Sequence, residues 1–377
     1  MRIDRCLGRG TPRRVAQVWA LQFAALAASF FARCSIFLAF DLYLAMSLLP
    51  RVVVLATGGT IAGSSSSAAS SAKYQAATVP VTALLDAVPA LGDVARVEAE
   101  QVAQVDSKDM SFALWTRLVE RVAFWSAQAD VAGIVITHGT DTLEETAMLL
   151  HLACVGTVPV VLTAAMRPST SLSADGPLNL LDAVRVAASA GAAGKGVLLV
   201  INQEIHAGRD VVKAHTSAVN AFVSPLAGPI GFVQDDLVRF VRAPRLLPDQ
   251  AWAVPSKWPQ VEILASYAEP GRLVVDALAQ AGVAGLVVAA AGNGSVHQSL
   301  VDALVDAAGA GVAVVRSSRT GAGHVAMPAP PRPASGAFVS AGDLNPYKAR
   351  VLLMLALATT PGLAVDPAAL QALFAEN

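Results

Sequence analysis

The chain has 377 residues, of which 54% are hydrophobic and only 15% charged, with a formal net charge of −1. That length allows one large domain or two ordinary ones, each with its own core. The near-neutral balance excludes the basic surface that a nucleic-acid partner needs, and the three cysteines, Cys6, Cys34 and Cys154, show neither metal-ligand spacing nor a disulfide framework.

Residues 1–14 carry Arg2, Arg5, Arg9, Arg13 and Arg14, and an apolar run from Val15 to Ala32 follows, broken by Arg33 and again by Asp41. A basic start before an apolar stretch is the pattern of a secretory signal, and the run is nearly long enough to span a bilayer. Yet no clean small-x-small cleavage site stands before Arg33, and the Arg13–Arg14 pair lacks the surroundings of a twin-arginine signal. Met46, in turn, opens Met-Ser-Leu-Leu-Pro-Arg directly into the first strand. Segment 1–49 is therefore read as an extension. A cytoplasmic protein begun at Met46 is the favoured reading, a periplasmic protein with an N-terminal signal is the alternative, and no stable membrane partner is expected.

From Arg51 strands and helices alternate. Val52–Ala56 is a short continuous apolar run ending in Thr-Gly-Gly-Thr, the pattern of a buried parallel strand entering a loop. Ser64–Ser71, serine and alanine only, reads as a flexible surface loop. Trp115 and Trp125 fall on an amphipathic helix and read as core. Gly133–Thr137 repeats the apolar design and ends in His-Gly-Thr-Asp-Thr. A helix is predicted from Leu143, with Ala147, Leu150 and Cys154 on one face and Thr142 with Glu145 as a capping box. Val158–Thr163 and Gly196–Asn202 are further strands.

The stretch Ala243–Pro259, with four prolines and two tryptophans and no period, reads as a linker. Strands resume at Val261–Ala265, Gly285–Ala290 and Val312–Arg316, and Pro328–Ser335 is a proline-rich loop. The pattern predicts an α/β fold: a larger N-terminal catalytic domain (50–242) with a mainly parallel sheet flanked by helices, a linker (243–260), and a smaller C-terminal α/β domain (261–377).

Ligands of open parallel sheets bind beyond the carboxyl ends of the strands. Two threonine-glycine loops stand at such ends, Thr57–Gly63 and Thr137–Thr142. Gly59 and Gly139 allow close backbone approach and expose N–H groups, and the helix after Thr142 points its positive end the same way. A threonine hydroxyl needs a base and an orienting partner to act as a nucleophile. Asp141 is the nearest acid by sequence, and Lys213 is a candidate base acting through Thr140. His138, His324 and Asp175 read as loop, packing and turn residues.

These loops carry a resemblance. From about Arg51 to its end the chain resembles the bacterial L-asparaginase family, closest to its periplasmic high-affinity type. The matching stretches are Ala56–Gly63, Ile136–Ala147, Ala165–Thr170, Ser173–Pro177, Gly208–Val211 and Val315–Arg319, in order and at compatible spacing. The resemblance implies hydrolysis of the asparagine side-chain amide by acylation and deacylation, with Thr60 attacking beside Tyr74. Thr140, Asp141 and Lys213 match a second triad. Ser107 matches a residue that holds the substrate α-carboxylate, and Gly292-Asn293-Gly294-Ser295 matches a strand end that touches the substrate of a neighbouring subunit. Substrate contacts are thus expected from Gly59, Ser107, Lys108, Gly139, Asn293 and Ser295. A homotetramer of two tight dimers is implied, with neither metal nor organic cofactor.

Three departures stand out. Lys108 replaces a glutamine or glutamate that helps to bind the substrate ammonium, so it repels that group unless it turns aside. Thr320–Gly342 contains no acid where the family supplies a glutamate, and Pro330 falls at that position. Ser295 stands where an asparagine is common, as in relatives that also hydrolyse glutamine. The competing readings are a glutaminase-asparaginase of broader specificity, a relative of the amidase subunit of tRNA-dependent amidotransferases, and a small amino-acid-binding protein with weak catalysis.

Overall fold

The computed structural model describes residues 49–69, 73–245, 248–327 and 338–377. The arginine-rich start, the Val15–Ala32 run, Met46, Pro330 and the Pro328–Ser335 loop lie outside them. Pro50–Asn377 forms one compact unit, built on two sheets. Among the described residues no helix is long and apolar enough to cross a membrane.

The first sheet has eight strands: β1 (Arg51–Gly58), β2 (Arg96–Val105), β3 (Val131–Thr137), β4 (Val160–Thr163), β5 (Val197–Ile201), β6 (Glu204–Ala207) and, beyond a two-residue ribbon of β7 (Val212–Lys213) with β8 (Phe222–Val223), β9 (Gly231–Gln234) and β10 (Leu237–Phe240). Its order is β10-β9-β6-β5-β4-β3-β1-β2. β2, β1, β3, β4 and β5 are parallel, and β6, β9 and β10 close the other edge antiparallel. The predicted strands in this half are all present. β2, β6, β9 and β10 are additional, and the α/β architecture with a mainly parallel sheet stands.

β1 shows why the apolar runs read correctly. Val52, Val53, Val54 and Leu55 are each 0% exposed, because helices cover both faces of the sheet. Val52 and Val54 pack towards the Gly176–Ala188 helix, Val53 and Leu55 towards the Phe112–Ser126 helix. The latter helix starts on Ser111, whose hydroxyl accepts the Leu114 N–H, and buries Trp115, Leu118, Val122 and Trp125 at spacings of three and four. Both tryptophans are core, as predicted.

The second sheet is four parallel strands in sequential order, β11 (Val261–Ala265), β12 (Gly285–Ala290), β13 (Ala313–Ser318) and β14 (Phe338–Ser340). The Leu143–Ala153 helix joins the two halves. Leu143, Ala147 and Leu150 face the first sheet, with Cys154 packed alongside, as the periodicity predicts. Met148, Leu149 and Leu152 instead enter a core with the Pro346–Thr359 helix of the C-terminal domain, so this helix is buried all round. The predicted linker is held there too. Trp252 donates its backbone N–H to the Leu152 carbonyl at 2.9 Å, and Trp258 stacks on Phe112 with ring centroids 4.8 Å apart. The predicted capping box is absent: the Thr142 hydroxyl donates to the Ser107 carbonyl at 2.7 Å and does not cap the helix.

Burial has a pH consequence. His138, His151 and His206 are at most 5% exposed, and burial pushes their imidazoles down from the ordinary 6.5 to about 4, about 3 and about 4. The folded rings stay neutral where the unfolded chain takes up protons. Their contribution is therefore complete above pH 6.5 and is lost as the pH falls towards 4, at about 1.4 kcal/mol per proton per pH unit. Glu145, pushed up to about 7 by burial, acts in the opposite sense below that pH, as do Glu144 and Asp182, which burial also raises, and together they offset part of the histidine contribution. The urea midpoint is expected to fall between pH 7 and pH 5. A midpoint constant over that range would mean that the buried rings are already charged.

Candidate active site

In the parallel part of the first sheet the chain runs outward in opposite directions from β1 and β3, and beyond the carboxyl ends at such a reversal open parallel sheets bind their ligands. Both threonine-glycine loops leave the sheet at this point. Thr57 ties them at the base, its hydroxyl donating to the Thr137 carbonyl at 2.9 Å. Above it the loops touch through glycines. A Cβ built on Gly59 would lie 2.2 Å from the Gly139 Cα, and one on Gly139 would lie 2.5 Å from the Ser107 hydroxyl oxygen. Gly59 also has φ +80°, a conformation that a side chain resists. The expectation that Gly59 offers its N–H to a ligand is not met. The turn returns that N–H to the Val105 carbonyl at 2.9 Å, and the Gly59 carbonyl accepts from Ala77.

Thr60 follows in a single buried turn of 3-10 helix and is 5% exposed. Its hydroxyl lies 2.7 Å from that of Tyr74. One hydroxyl proton is shared within the pair and the other is free for a ligand. The base of the intervening serine-alanine loop is closed by Ser64 and Gln75, paired through both backbone groups, and Ser65 donates its N–H to the Thr170 hydroxyl.

On the second loop Thr140 is 5% exposed. The Lys213 ammonium donates to the Thr140 hydroxyl at 2.9 Å and to Asp141 Oδ1 at 2.6 Å. The structure thus brings Thr140, Asp141 and Lys213 together across more than seventy residues of chain. Because Thr140 accepts from Lys213, its own proton is available to donate. Ser107 is buried; its hydroxyl accepts the Asp141 N–H at 3.1 Å and retains a proton for a ligand. Asp141 is half exposed towards solvent and supplies negative charge beside these donors.

Lys108 feels this charge only through space and makes its contacts elsewhere. Its side chain is exposed, and its ammonium pairs with Asp109 and lies 4.0 Å from Asp106. Those two carboxylates, Asp109 first and Asp106 less, raise the affinity of Lys108 for its proton, with a smaller contribution from Asp141, and hold it at the rim. Lys108→Gln is accordingly expected to change KM for an amino-acid amide by less than about twofold, since an exposed, already paired charge contributes little. A several-fold fall in KM would show the lysine reaching the ligand.

Asn293 and Ser295 lie in the turn after β12. Asn293 accepts the Ala326 N–H at 2.7 Å, Ser295 pairs with Ala291, and Arg316 fixes the turn through the Gly294 carbonyl. Among the described residues these bonds lie within the C-terminal domain.

Several contacts here carry no local sequence signal. Trp115 Nε1 donates to the Thr146 hydroxyl, which meets His138 Nε2 at 3.1 Å, and His138 Nδ1 meets the Gly139 carbonyl at 2.7 Å. With the ring neutral, Nδ1–H is the donor to Gly139, and the core helix thereby orients the glycine loop. Asp175 accepts the N–H groups of Met166 and Arg167 and an amide proton of Asn179, so it organises the neighbouring strand end, a larger part than that of a turn residue.

Two protein-family descriptions match the chain: "Asparaginase, N-terminal" over residues 51–246 and "Glutaminase/Asparaginase C-terminal domain" over residues 260–374. The chain is 44% identical to L-asparaginase 2 of Escherichia coli over 330 residues, 86% of this chain and 93% of that one. It is 45% identical to the glutaminase-asparaginase of Pseudomonas fluorescens biotype A over 317 residues, 83% and 87% of the two chains. Among solved structures, the probable cytoplasmic L-asparaginase from Campylobacter jejuni superposes with a TM-score of 0.82 at 41% identity, covering 87% of this chain and all of that one.

Proposed function

Because the chain belongs to the bacterial L-asparaginase family, we propose that it hydrolyses the side-chain amide of L-asparagine to L-aspartate and ammonia through Thr60 and an acyl-enzyme. The observation that carries this reading is the convergence of two partnered threonines. Thr60 is paired with Tyr74 and Thr140 with Lys213 and Asp141, on loops that touch at Gly59 and Gly139.

The Thr60 oxygen adds to the amide carbon while its proton passes to the hydrogen-bonded partner. The C–N bond then breaks as Tyr74, having taken the Thr60 proton, passes a proton on to the leaving nitrogen, which departs as ammonia, and an ester on Thr60 is left. Water adds to that ester and releases aspartate, and the Thr60 hydroxyl is restored. Thr140, held by Lys213, donates towards the reacting centre, Ser107 towards the substrate carboxylate, and Asp141 is the counter-charge to the substrate ammonium.

The second reading is a glutaminase-asparaginase, favoured by Ser295 and by the 45% identity to a relative of that name. We further propose a homotetramer of two tight dimers, in which Asn293 and Ser295 serve the crevice of a neighbouring subunit, and action in the cytoplasm for a chain begun at Met46.

Ammonia release from protein begun at Met46, with asparagine and glutamine supplied separately from micromolar to millimolar concentrations, tests the substrate. Saturation by asparagine at low concentration is expected. Equal use of glutamine would favour the second reading, and no release from either would overturn both.

A further inference from the structure

Lys213 sits on a strand of two residues, too short to hold a catalytic ammonium in place by itself. Its support comes from two buried charges on different domains. Glu144, in the first turn of the Leu143–Ala153 helix and 7% exposed, accepts the Lys213 backbone N–H on Oε2 at 2.9 Å. Its other oxygen accepts from Asn345 of the C-terminal domain at 3.3 Å. Asn345 caps the Pro346–Thr359 helix by accepting the Lys348 N–H. The Lys348 side chain, 2% exposed, donates to the carbonyls of Gly208 at 2.8 Å and Arg209 at 2.6 Å. The segment 208–213 is therefore gripped at its start by an ammonium and at its end by a carboxylate. The bonds of both groups go to this backbone and to Asn345, and not to each other.

We infer that Glu144 and Lys348 are positioning residues for Lys213, through which the C-terminal domain sets where the Lys213 ammonium stands between Thr140 and Asp141. The inference rests on the catalytic reading of Lys213 given above. A buried pair retained only for stability has no reason to spend its bonds on one six-residue segment, and replacing such a pair by apolar groups often costs nothing. Lys348 also faces Arg209, Asp210 and Asp343, and Glu144 faces the Lys213 charge. Glu145 lies beside Glu144, while His151 and His206, which feel Lys348, are neutral. Burial raises the Glu144 carboxyl and lowers Lys348 to about 7, and each opposes the other's shift. Loss of either charge thus unsettles its partner.

The test uses Glu144→Gln, Lys348→Met and Lys213→Met in the full chain. Glu144→Gln keeps an acceptor for the Lys213 N–H but removes the carboxylate that favours its ammonium. Its kcat for asparagine is expected to fall about tenfold or more, as small displacements of catalytic groups do, with KM within about twofold. The alkaline limb of its kcat–pH profile, where the ammonium is lost, is expected to move to lower pH. Lys348→Met is expected to lower kcat at unchanged KM. If a single variant fails to fold, the double variant, which leaves neither charge buried alone, carries the test: low kcat at native KM supports the inference and native kcat overturns it. Folded Glu144→Gln with an unmoved pH profile overturns it as well, whether or not activity falls, because a merely structural part would leave the profile in place. An inactive Lys213→Met beside an unmoved Glu144→Gln sinks the positioning role alone. Native turnover by Lys213→Met removes the reading of Lys213 and this inference with it.

Discussion

Thr60→Ala and Thr140→Ala are each expected to lower kcat for asparagine on the order of 10³-fold or more while the protein still folds. The two losses have different origins. Thr60→Ala removes the oxygen that would carry the acyl group and leaves the Tyr74 hydroxyl facing an empty position. No covalent intermediate can then form. Thr140→Ala leaves the Lys213 ammonium on Asp141 alone, 2.6 Å away, and takes away the donor that links that pair to the substrate. Each change deletes only a hydroxyl and a methyl from a position 5% exposed, so thermal unfolding should move by a few degrees at most. Ammonia release beside a circular-dichroism melt separates the two effects. Near-native release by either folded variant would remove that threonine from the chemistry.

The second large effect is expected from the glycines between those threonines. Gly59→Ala should cost at least about 3 kcal/mol of stability, because the new side chain meets both an unfavourable φ of +80° and backbone atoms of Gly139 at 2.2–2.3 Å. What survives should turn over on the order of 100-fold more slowly, since the loops must part to admit the methyl group and reacting groups then fall out of register. Gly139→Ala collides with the Ser107 hydroxyl instead and should act more on KM. Gly156→Ala, on a turn with nothing within 4 Å, is the control and should lie within about 0.5 kcal/mol of the native chain. Denaturant midpoints and steady-state kinetics on the three variants read this directly. A Gly59→Ala enzyme as stable and active as the Gly156→Ala control would mean that the two loops do not touch.

What the sequence makes legible follows from how each element is buried. β1, β3 and β12 are covered on both faces, so they are continuous apolar runs and the sequence places them within a few residues. β2 is an edge strand whose sequence, Arg-Val-Glu-Ala-Glu-Gln-Val-Ala-Gln-Val, mixes charge into a partly exposed face. β6, β9 and β10 are four residues each. Neither kind stands out from loop sequence. The candidate site is legible where motif and loop coincide, at Thr60, Thr140 and Asp141 with Lys213 as their candidate partner, and by resemblance at Tyr74. Glu144 was hidden because an acid in the first turn of a helix looks like a response to the helix dipole, and its real partners lie 69 and 201 residues away. The Thr142–Glu145 capping box failed for a related reason: a distant carbonyl, that of Ser107, competes for the same hydroxyl.

The place of β1 in the sheet also bears on how the molecule is made. β1 is the first strand of the compact unit to leave the ribosome, yet it is hydrogen-bonded on both sides by strands that do not yet exist. Thr137, on β3, follows Thr57 by 80 residues, and at about 5–20 residues per second that is a delay on the order of ten seconds. Until β2 emerges, Val-Val-Val-Leu-Ala has no partner, and until β3 follows one of its edges stays open; it is an uncharged, proline-free segment with strong β preference, the type that seeks its own kind on a neighbouring chain. Yield in a producing cell should therefore respond to chaperone supply and elongation speed more than to the stability of the finished enzyme, and slow synthesis lengthens the exposure.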